Sequence, residues 1–147
     1  MKNVFVTMLA LGGFLSLPLD AQDRSHLLVV IVNTRTPLPS DLTADDLQNI
    51  FVGKEKFIKG MRLHPVNNGE EDLFERFLEK FIGVDASEYK TFWIKKVFRE
   101  GGEPPKVLPS SEKVIRFVSK KTGAIGYVWR KDIEGKEGII KVVPIRP

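Results

Sequence analysis

Residues Gly123–Trp129 read GAIGYVW, and an earlier block, Leu42–Lys54, reads LTADDLQNIFVGK. Gly123 is expected to take the left-handed backbone conformation that ends a helix, where a side chain would place its Cβ against a carbonyl. The apolar run after it predicts a buried strand, in which Gly126 lets a neighbouring backbone approach closely. This stretch therefore predicts a helix, a turn and a buried strand in succession.

The earlier block has the pattern of a capped amphipathic helix. Thr43 is the expected N-cap, and Asp46, three residues later, completes an approximate capping box. Gly53 is expected to end the helix. The apolar residues that repeat at helical spacing, and so predict the buried face, are Leu47, Ile50 and Phe51.

Two further segments predict strands. Leu27–Val32, LLVVIV, is a continuous apolar run, which is typical of a strand buried on both faces as in a parallel sheet. Arg62–Val66, RLHPV, is a shorter candidate that Pro65 restricts to a sheet edge or a strand end. The residues after it, Asn67–Gly69, have the composition of a turn.

The second half of the chain predicts three more helices and two strands. The first helix carries apolar residues from Leu73 to Ile82, the second begins at Asp85 with Glu88 as its capping partner, and the third is capped by Ser110 or Ser111. Gly101–Pro109 is expected to be a loop, and the strands are Ala124–Trp129 and Ile139–Ile145. Aromatic residues at helical spacing are expected to pack in the core: Phe74, Phe77, Phe81, Tyr89, Phe92 and Trp93. The resulting order, β-α-β-α-α-α-β-β, predicts an α/β fold with a small mixed sheet covered by helices.

Composition excludes several kinds of site. The 147 residues contain no cysteine and two histidines, so thiolate chemistry is excluded and a histidine-based metal centre is not expected. The net charge of +4 comes from lysines and arginines that are spread along the chain, which does not favour nucleic-acid binding. No sequence motif for a nucleotide or another cofactor is present.

The N-terminal residues have the pattern of a signal peptide. Lys2 precedes a mainly apolar run, Val4–Leu17, which is too short to span a bilayer, and Ala21 offers a cleavage position. We therefore expect residues 1–21 to be removed and residues 22–147 to form one exported domain. A bacterial periplasm is the expected location, with no membrane insertion.

The residues around Asn67-Asn68-Gly69 are the candidate ligand site. They precede a helix, and free backbone N–H groups at a helix N-terminus can bind an anion, although an ordinary cap explains the same pattern. The acidic residues Glu70–Asp72 fit a solvated first helical turn. His64 fits a structural surface histidine as well as a functional one. Because no nucleophile, base and orienting residue form a set, we expect no enzymatic activity.

Three blocks of the chain resemble periplasmic substrate-binding proteins of phosphate ABC transporters. Leu42–Lys54 is similar to a helix near the start of one lobe, His64–Phe81 to the anion-binding strand, turn and helix, and Gly123–Trp129 to the strand that closes the lobe. GEPP at Gly102–Pro105 also resembles a loop of short members. The resemblance implies a single lobe of a type-2 periplasmic binding protein. It further implies a small oxyanion such as phosphate as ligand, with a second protein lobe or a homodimer supplying the other wall.

The resemblance also identifies the candidate ligand-binding residues, which are His64, Asn67, Asn68, Gly69 and Glu70. In the family pattern His64 stands in place of an arginine, Val66 of an aspartate, Asn68 of a serine and Glu70 of a threonine, while the glycine is retained. A carboxylate at position 70 would repel an anion, by about 4 kcal/mol at 4 Å and an effective dielectric constant of 20. The alternative function is therefore a ligand-free envelope protein–protein interaction module. It would bind its protein partner through the sheet edge or the GGEPP loop.

Overall fold

The computed structural model describes residues 24–40 and 42–147, so the expected signal peptide, residues 1–21, lies outside the described residues. The strands are β1 (Leu28–Asn33), β2 (Phe57–Ile58), β3 (Met61–Arg62), β4 (His64–Asn68), β5 (Lys106–Leu108), β6 (Ala124–Trp129) and β7 (Ile140–Val143). The α-helices are α1 (Ala44–Phe51), α2 (Glu71–Phe77), α3 (Ala86–Glu100) and α4 (Ser111–Lys120). A π-helical segment, Leu78–Ile82, continues α2, and a 3-10 helix covers Arg130–Ile133.

Five strands form one mixed sheet in the order β5-β4-β6-β1-β7, and β2 and β3 form a separate hairpin. Strand β4 runs parallel to both β5 and β6, whereas β1 runs antiparallel to both β6 and β7. The predicted α/β class with a small mixed sheet is confirmed. The expectation that β1 belongs to a parallel arrangement is wrong, because helices on both faces of the sheet bury an antiparallel strand as completely as a parallel one.

Each face of the sheet has its own core. On β1, Val30 and Val32 face one core while Val29 and Ile31 face the other, as the two-residue period of a strand requires. The first core is closed by α1, α2 and α3, and in it the ring of Tyr127 stacks on Phe77 with centroids 3.8 Å apart. The second core is closed mainly by α4. The fold is therefore a three-layer sandwich with the sheet in the middle.

The predicted starts of α1, α3 and α4 are confirmed, whereas α2 begins at Glu71 without a side-chain capping bond. Thr43 and Asp46 form a reciprocal capping box at α1, and Asp85 and Glu88 form another at α3. Ser110 is the N-cap of α4, where its hydroxyl accepts a hydrogen bond from a backbone N–H. Local hydrogen bonding of short polar side chains thus sets where these helices begin.

Gly123 and Gly126 have the close contacts that the sequence of Gly123–Trp129 predicts, with two differences. Gly123 has a φ of +86°, but it lies in the turn after α4, which ends at Lys120, and any Cβ there would meet the Arg62 carbonyl. Gly126 is approached by side chains rather than by backbone. A Cβ at that position would lie 2.8 Å from Cγ1 of Val114, a residue of α4. Gly126 therefore lets α4 pack closely on the sheet.

Two predicted loops belong to the sheet. Lys106–Leu108, inside the expected loop 101–109, pairs with β4 as an edge strand. Asn67 and Asn68, expected in a turn, are the last two residues of β4 and are buried. Their composition favours a turn, but backbone pairing with β5 and internal hydrogen bonds of both amides stabilise the strand instead. Pro65 lies near the start of β4, before pairing with β5 begins, as expected.

The aromatic residues of α3 are divided between core and surface. Tyr89 and Trp93 are buried as predicted, but Phe92, which was also expected in the core, is 38% exposed, and Val97, one turn after Trp93, is 40% exposed. The body of the protein contacts only a narrow face of α3, so it does not cover the flanks. Within residues 24–40 and 42–147, no helix has the length and apolar character needed to cross a membrane.

Candidate functional site

Two helix N-termini meet at the carboxyl edge of the parallel strands. Strand β4 leads through Gly69 and Glu70 into α2, and β5 leads through Pro109 and Ser110 into α4. The Gly69 N–H donates to the Leu108 carbonyl oxygen at 2.7 Å, which holds the two connections side by side. In open α/β sheets this edge is the usual place for a ligand, and helix N-termini there favour negative charge.

The carboxylate of Glu70 occupies this edge. Its Oε1 accepts the backbone N–H of Ser111, the first residue of α4, at 2.8 Å. Glu70 is also the N-cap of α2, but its side chain makes no capping bond there. A protein carboxylate therefore binds an N–H group at the N-terminus of α4. This bond joins the segment between β4 and α2 to the start of the helix that follows β5.

Asn68 is fully engaged inside the protein. Its Nδ2 donates to Ser111 Oγ at 3.0 Å and to the Tyr127 carbonyl oxygen at 3.2 Å. Its Oδ1 accepts the Glu70 N–H at 3.0 Å. Both donor hydrogens are used, and the residue has no exposed surface. Asn68 thus holds the Glu70–Ser111 connection in place and has no free donor for a ligand.

Asn67 points into the other core and joins two tyrosines. The Tyr127 hydroxyl donates to Asn67 Oδ1 at 3.1 Å, and Asn67 Nδ2 donates to the Tyr89 hydroxyl at 3.4 Å. Tyr89 in turn donates to the Phe51 carbonyl oxygen at 2.8 Å. Burial raises the pKa of both tyrosines, so both stay protonated donors. Asn67 therefore has a structural role, because it links two buried tyrosines in the core on this face of the sheet.

His64 lies at the opposite end of β4. It is the first residue of this five-residue strand, so about 13 Å of strand separates it from Asn68 at roughly 3.3 Å per residue. Partial burial lowers the pKa of His64, and the positive charges of Lys121 and Arg62 lower it further. The side chain is thus kept neutral and does not reach the carboxyl edge.

A groove of about 440 Å³ opens at this amino end of β4. His64 and Pro65 line one wall, and the loop Gly101–Pro105 with the end of α3 lines another. Charged side chains of both signs also line it: Glu55, Lys56, Arg62, Lys96, Glu100, Glu103 and Lys106. The GGEPP loop therefore borders a concave, mixed-charge surface.

Of the five predicted site residues, Asn68, Gly69 and Glu70 lie together at the helix N-termini, where the buried Asn68 bonds to Ser111 and to the Glu70 N–H. Asn67 is a core residue that bonds to two tyrosines, and His64 belongs to the separate groove. Sequence reasoning missed Ser111, which supplies the N–H bound by Glu70 and the hydroxyl bound by Asn68. The Ser110-Ser111 pair was visible as a helix cap, but nothing local linked it to Glu70. Among the described residues no group of three His, Asp or Glu side chains is placed to hold a metal ion.

Similarity to solved structures covers most of the chain. The chain matches a phosphate ABC transporter substrate-binding protein with bound phosphate from Clostridium perfringens at 18% identity and a TM-score of 0.58. The match covers 80% of this chain and 44% of that one. It matches an ABC-type phosphate transport receptor from Vibrio cholerae at 16% identity and a TM-score of 0.51, over 80% and 45%. PstS from Borrelia burgdorferi matches at 14% identity and a TM-score of 0.62, over 80% and 46%.

The chain spans less than half the length of these solved structures. No family model matches the sequence, and no curated protein matches it. The likeness is therefore one of fold, and it covers 80% of this chain. The described residues have the fold of one lobe of a periplasmic binding protein, as found in substrate-binding proteins of phosphate ABC transporters.

Proposed function

We propose that the chain is an exported solute-binding module of the bacterial envelope that receives a small oxyanion such as phosphate at the carboxyl edge. It would serve uptake or sensing and carry out no catalysis. The two residues that make up this candidate site are Gly69 and Glu70, together with the N–H of Ser111. A second wall, supplied by another protein lobe or another copy of the chain, would enclose the anion.

The hydrogen bond from Ser111 N–H to Glu70 Oε1 supports this proposal. A carboxylate oxygen is itself an anionic acceptor, so its position marks where an oxyanion would find a donor. An incoming oxyanion must displace Glu70 or lie against its negative charge. Binding to the unaltered protein is therefore weak, and Glu70 decides how weak.

The test is isothermal titration of the whole chain with inorganic phosphate, beside the variant Glu70→Thr. The variant removes the negative charge and keeps a short polar side chain. We expect weak heat from the unaltered chain and at least tenfold tighter binding by the variant, since relief of one like-charge contact exceeds about 1.4 kcal/mol. A matched control, Glu71→Thr, removes a neighbouring exposed charge that makes no bond to α4, and it should leave the affinity nearly unchanged.

The second candidate is an interaction module without a small ligand. The amides of Asn67 and Asn68 are hydrogen-bonded inside the protein and are not available to a ligand, which favours this candidate. The mixed-charge groove beside the GGEPP loop also favours it. Absence of heat with millimolar phosphate for both the unaltered chain and Glu70→Thr would contradict the first proposal and favour this one. Equal affinity of both proteins would contradict the role of Glu70.

A further inference from the structure

The outer face of α3 carries a row of exposed apolar side chains. Ile94, Val97 and Phe98 lie at i, i+3 and i+4, so they form one stripe in the last two turns of the helix. Their exposed fractions are 61%, 40% and 92%. The buried residues of the helix, Tyr89 and Trp93, contact the body of the protein. At about 100° per residue, Ile94 and Phe98 lie about 100° and 140° round the helix from Trp93, whereas Val97, one turn after Trp93, borders the buried face. The stripe therefore runs along one side of α3, with Val97 nearest the core and with Ile94 and Phe98 turned toward solvent.

Positive charges border this stripe. Lys90 lies one turn before Ile94 on the same face, and Lys95 lies beside Phe98 on its other flank, both exposed. Neither lysine forms an ion pair with any of the described residues. The nearest acidic residue near the helix end, Glu100, is held on another face by Lys96 at 3.0 Å. The outer face of α3 is thus apolar and basic.

We propose that the outer face of α3 lies on an anionic lipid surface, with Ile94, Val97 and Phe98 entering the interfacial layer and Lys90 and Lys95 contacting phosphate headgroups. Helices that lie in the membrane interface combine an apolar stripe with flanking lysines in this way. Long lysine side chains place their charge at the headgroups while their stems follow the apolar surface. The described part of the protein, residues 24–40 and 42–147, rests on the bilayer surface through this helix.

Charge and shape favour a lipid surface over protein occupants. A second copy of the chain packed on the same stripe would bring Lys90 and Lys95 against lysines of its partner, with no acidic residue in the stripe to offset them. A protein partner would need a fitted pocket for Phe98, which is 92% exposed and protrudes from the helix end. A fluid interface accepts a protruding aromatic ring without a fitted pocket.

The test uses the absence of cysteine in the chain. The variant Ile94→Cys of the whole chain is labelled with an environment-sensitive fluorophore and mixed with phosphatidylglycerol vesicles or phosphatidylcholine vesicles. We expect a blue shift with phosphatidylglycerol, reversed by high salt, and little shift with phosphatidylcholine. The matched control is Val107→Cys, an exposed apolar position on β5, which should show no shift. Because the label reports its own position, any lipid contact made elsewhere in the chain does not imitate the result.

A second pair of variants tests the charges. Lys90→Gln with Lys95→Gln should weaken the fluorescence-detected affinity about fivefold for each charge removed. Lys113→Gln with Lys120→Gln changes the net charge equally on α4 and should have a smaller effect. An unshifted label at position 94 on phosphatidylglycerol would overturn the proposal. So would equal shifts at positions 94 and 107, or a shift without vesicles that grows with protein concentration, which would indicate self-association.

Discussion

Oε1 of Glu70 lies 2.8 Å from the backbone nitrogen of Ser111 and accepts its N–H, which joins the start of α2 to the start of α4. The bond stabilises negative charge at a helix N-terminus and satisfies a donor that has no partner within the helix. It also fixes the relative position of β4 and β5 at their carboxyl ends. Glu70 thus has a structural role, and in the function that we propose it also limits the binding of an anion.

Glu70→Ala should lower the free energy of unfolding by about 1 kcal/mol, because the Ser111 N–H loses a charged acceptor. Urea unfolding followed by circular dichroism measures this change. Glu71→Ala, which removes an exposed carboxylate in the same helical turn, is the control and should cost less. If both substitutions lower the free energy of unfolding equally, the contact between Glu70 and Ser111 does not stabilise the protein.

Gly126→Ala should destabilise the protein by about 1–3 kcal/mol through overpacking. The new Cβ would lie 2.8 Å from Val114 Cγ1 and 3.0 Å from Val66 Cγ2, so α4 must move away from the sheet. The midpoint of urea unfolding reports the change. Gly138→Ala, where no atom lies within 4 Å of the new Cβ, should change it little. An unchanged midpoint for Gly126→Ala would show that α4 can shift without cost.

Tyr127→Phe should cost about 1–2 kcal/mol, because Asn67 Oδ1 loses its donor inside the core while the ring can remain stacked on Phe77. Adding Asn67→Leu removes the stranded acceptor as well. The double variant should therefore be more stable than the sum of the two single changes predicts. Strict additivity in unfolding measurements would mean that the two side chains are not coupled.

Protein stability should fall as the pH drops below about 6.5, in part because of His64. Its pKa in the native protein is lowered by burial and by the charges of Lys121 and Arg62. Below the ordinary value, the unfolded chain binds a proton that the native chain does not, so acid favours unfolding. This loss continues until the native imidazole also titrates. Thermal unfolding at about pH 7.5 and about pH 5.5 gives the size of the effect.

Two variants separate His64 from other titrating groups. His64→Gln should reduce the difference in Tm between the two pH values, since the group no longer titrates. Lys121→Gln should reduce it less, because one of the two nearby cations is removed while burial remains. A pH dependence that is identical in all three proteins would assign it to groups other than His64.

Local sequence patterns predicted the parts of the fold that local physics controls. The capping boxes at Thr43 and Asp85 involve residues three positions apart, so their geometry follows from the chain itself. The buried strand Ala124–Trp129 was evident from its continuous apolar run. Strand β5 could not be predicted because the three residues between Pro105 and Pro109 are too few to show a strand pattern. Its backbone pairing with β4 stabilises the strand instead.

The candidate site was harder to predict because its contacts join distant segments. Asn68 bonds to Ser111 across 43 positions, and Tyr127 bonds to Asn67 across 60. The sequence around Asn67 and Asn68 suggests a turn unless these partners are known. The family resemblance places Glu70 where a relative would hold an anion, but the N–H partner of Glu70 lies 41 positions away on α4. Only the tertiary structure shows that this position is already occupied.

The place of β1 in the sheet has a consequence for how the protein folds. This strand lies between β6 and β7, so Leu28 pairs with Trp129 and Val30 with Val143, partners that lie roughly 100 residues away along the chain. Neither core face can close until nearly the whole polypeptide is free to collapse. Such topology slows folding and leaves the emerging chain extended for longer. We propose that the chain is exported, and in that case a sheet that closes only with its last strand keeps the chain unfolded during passage through the membrane.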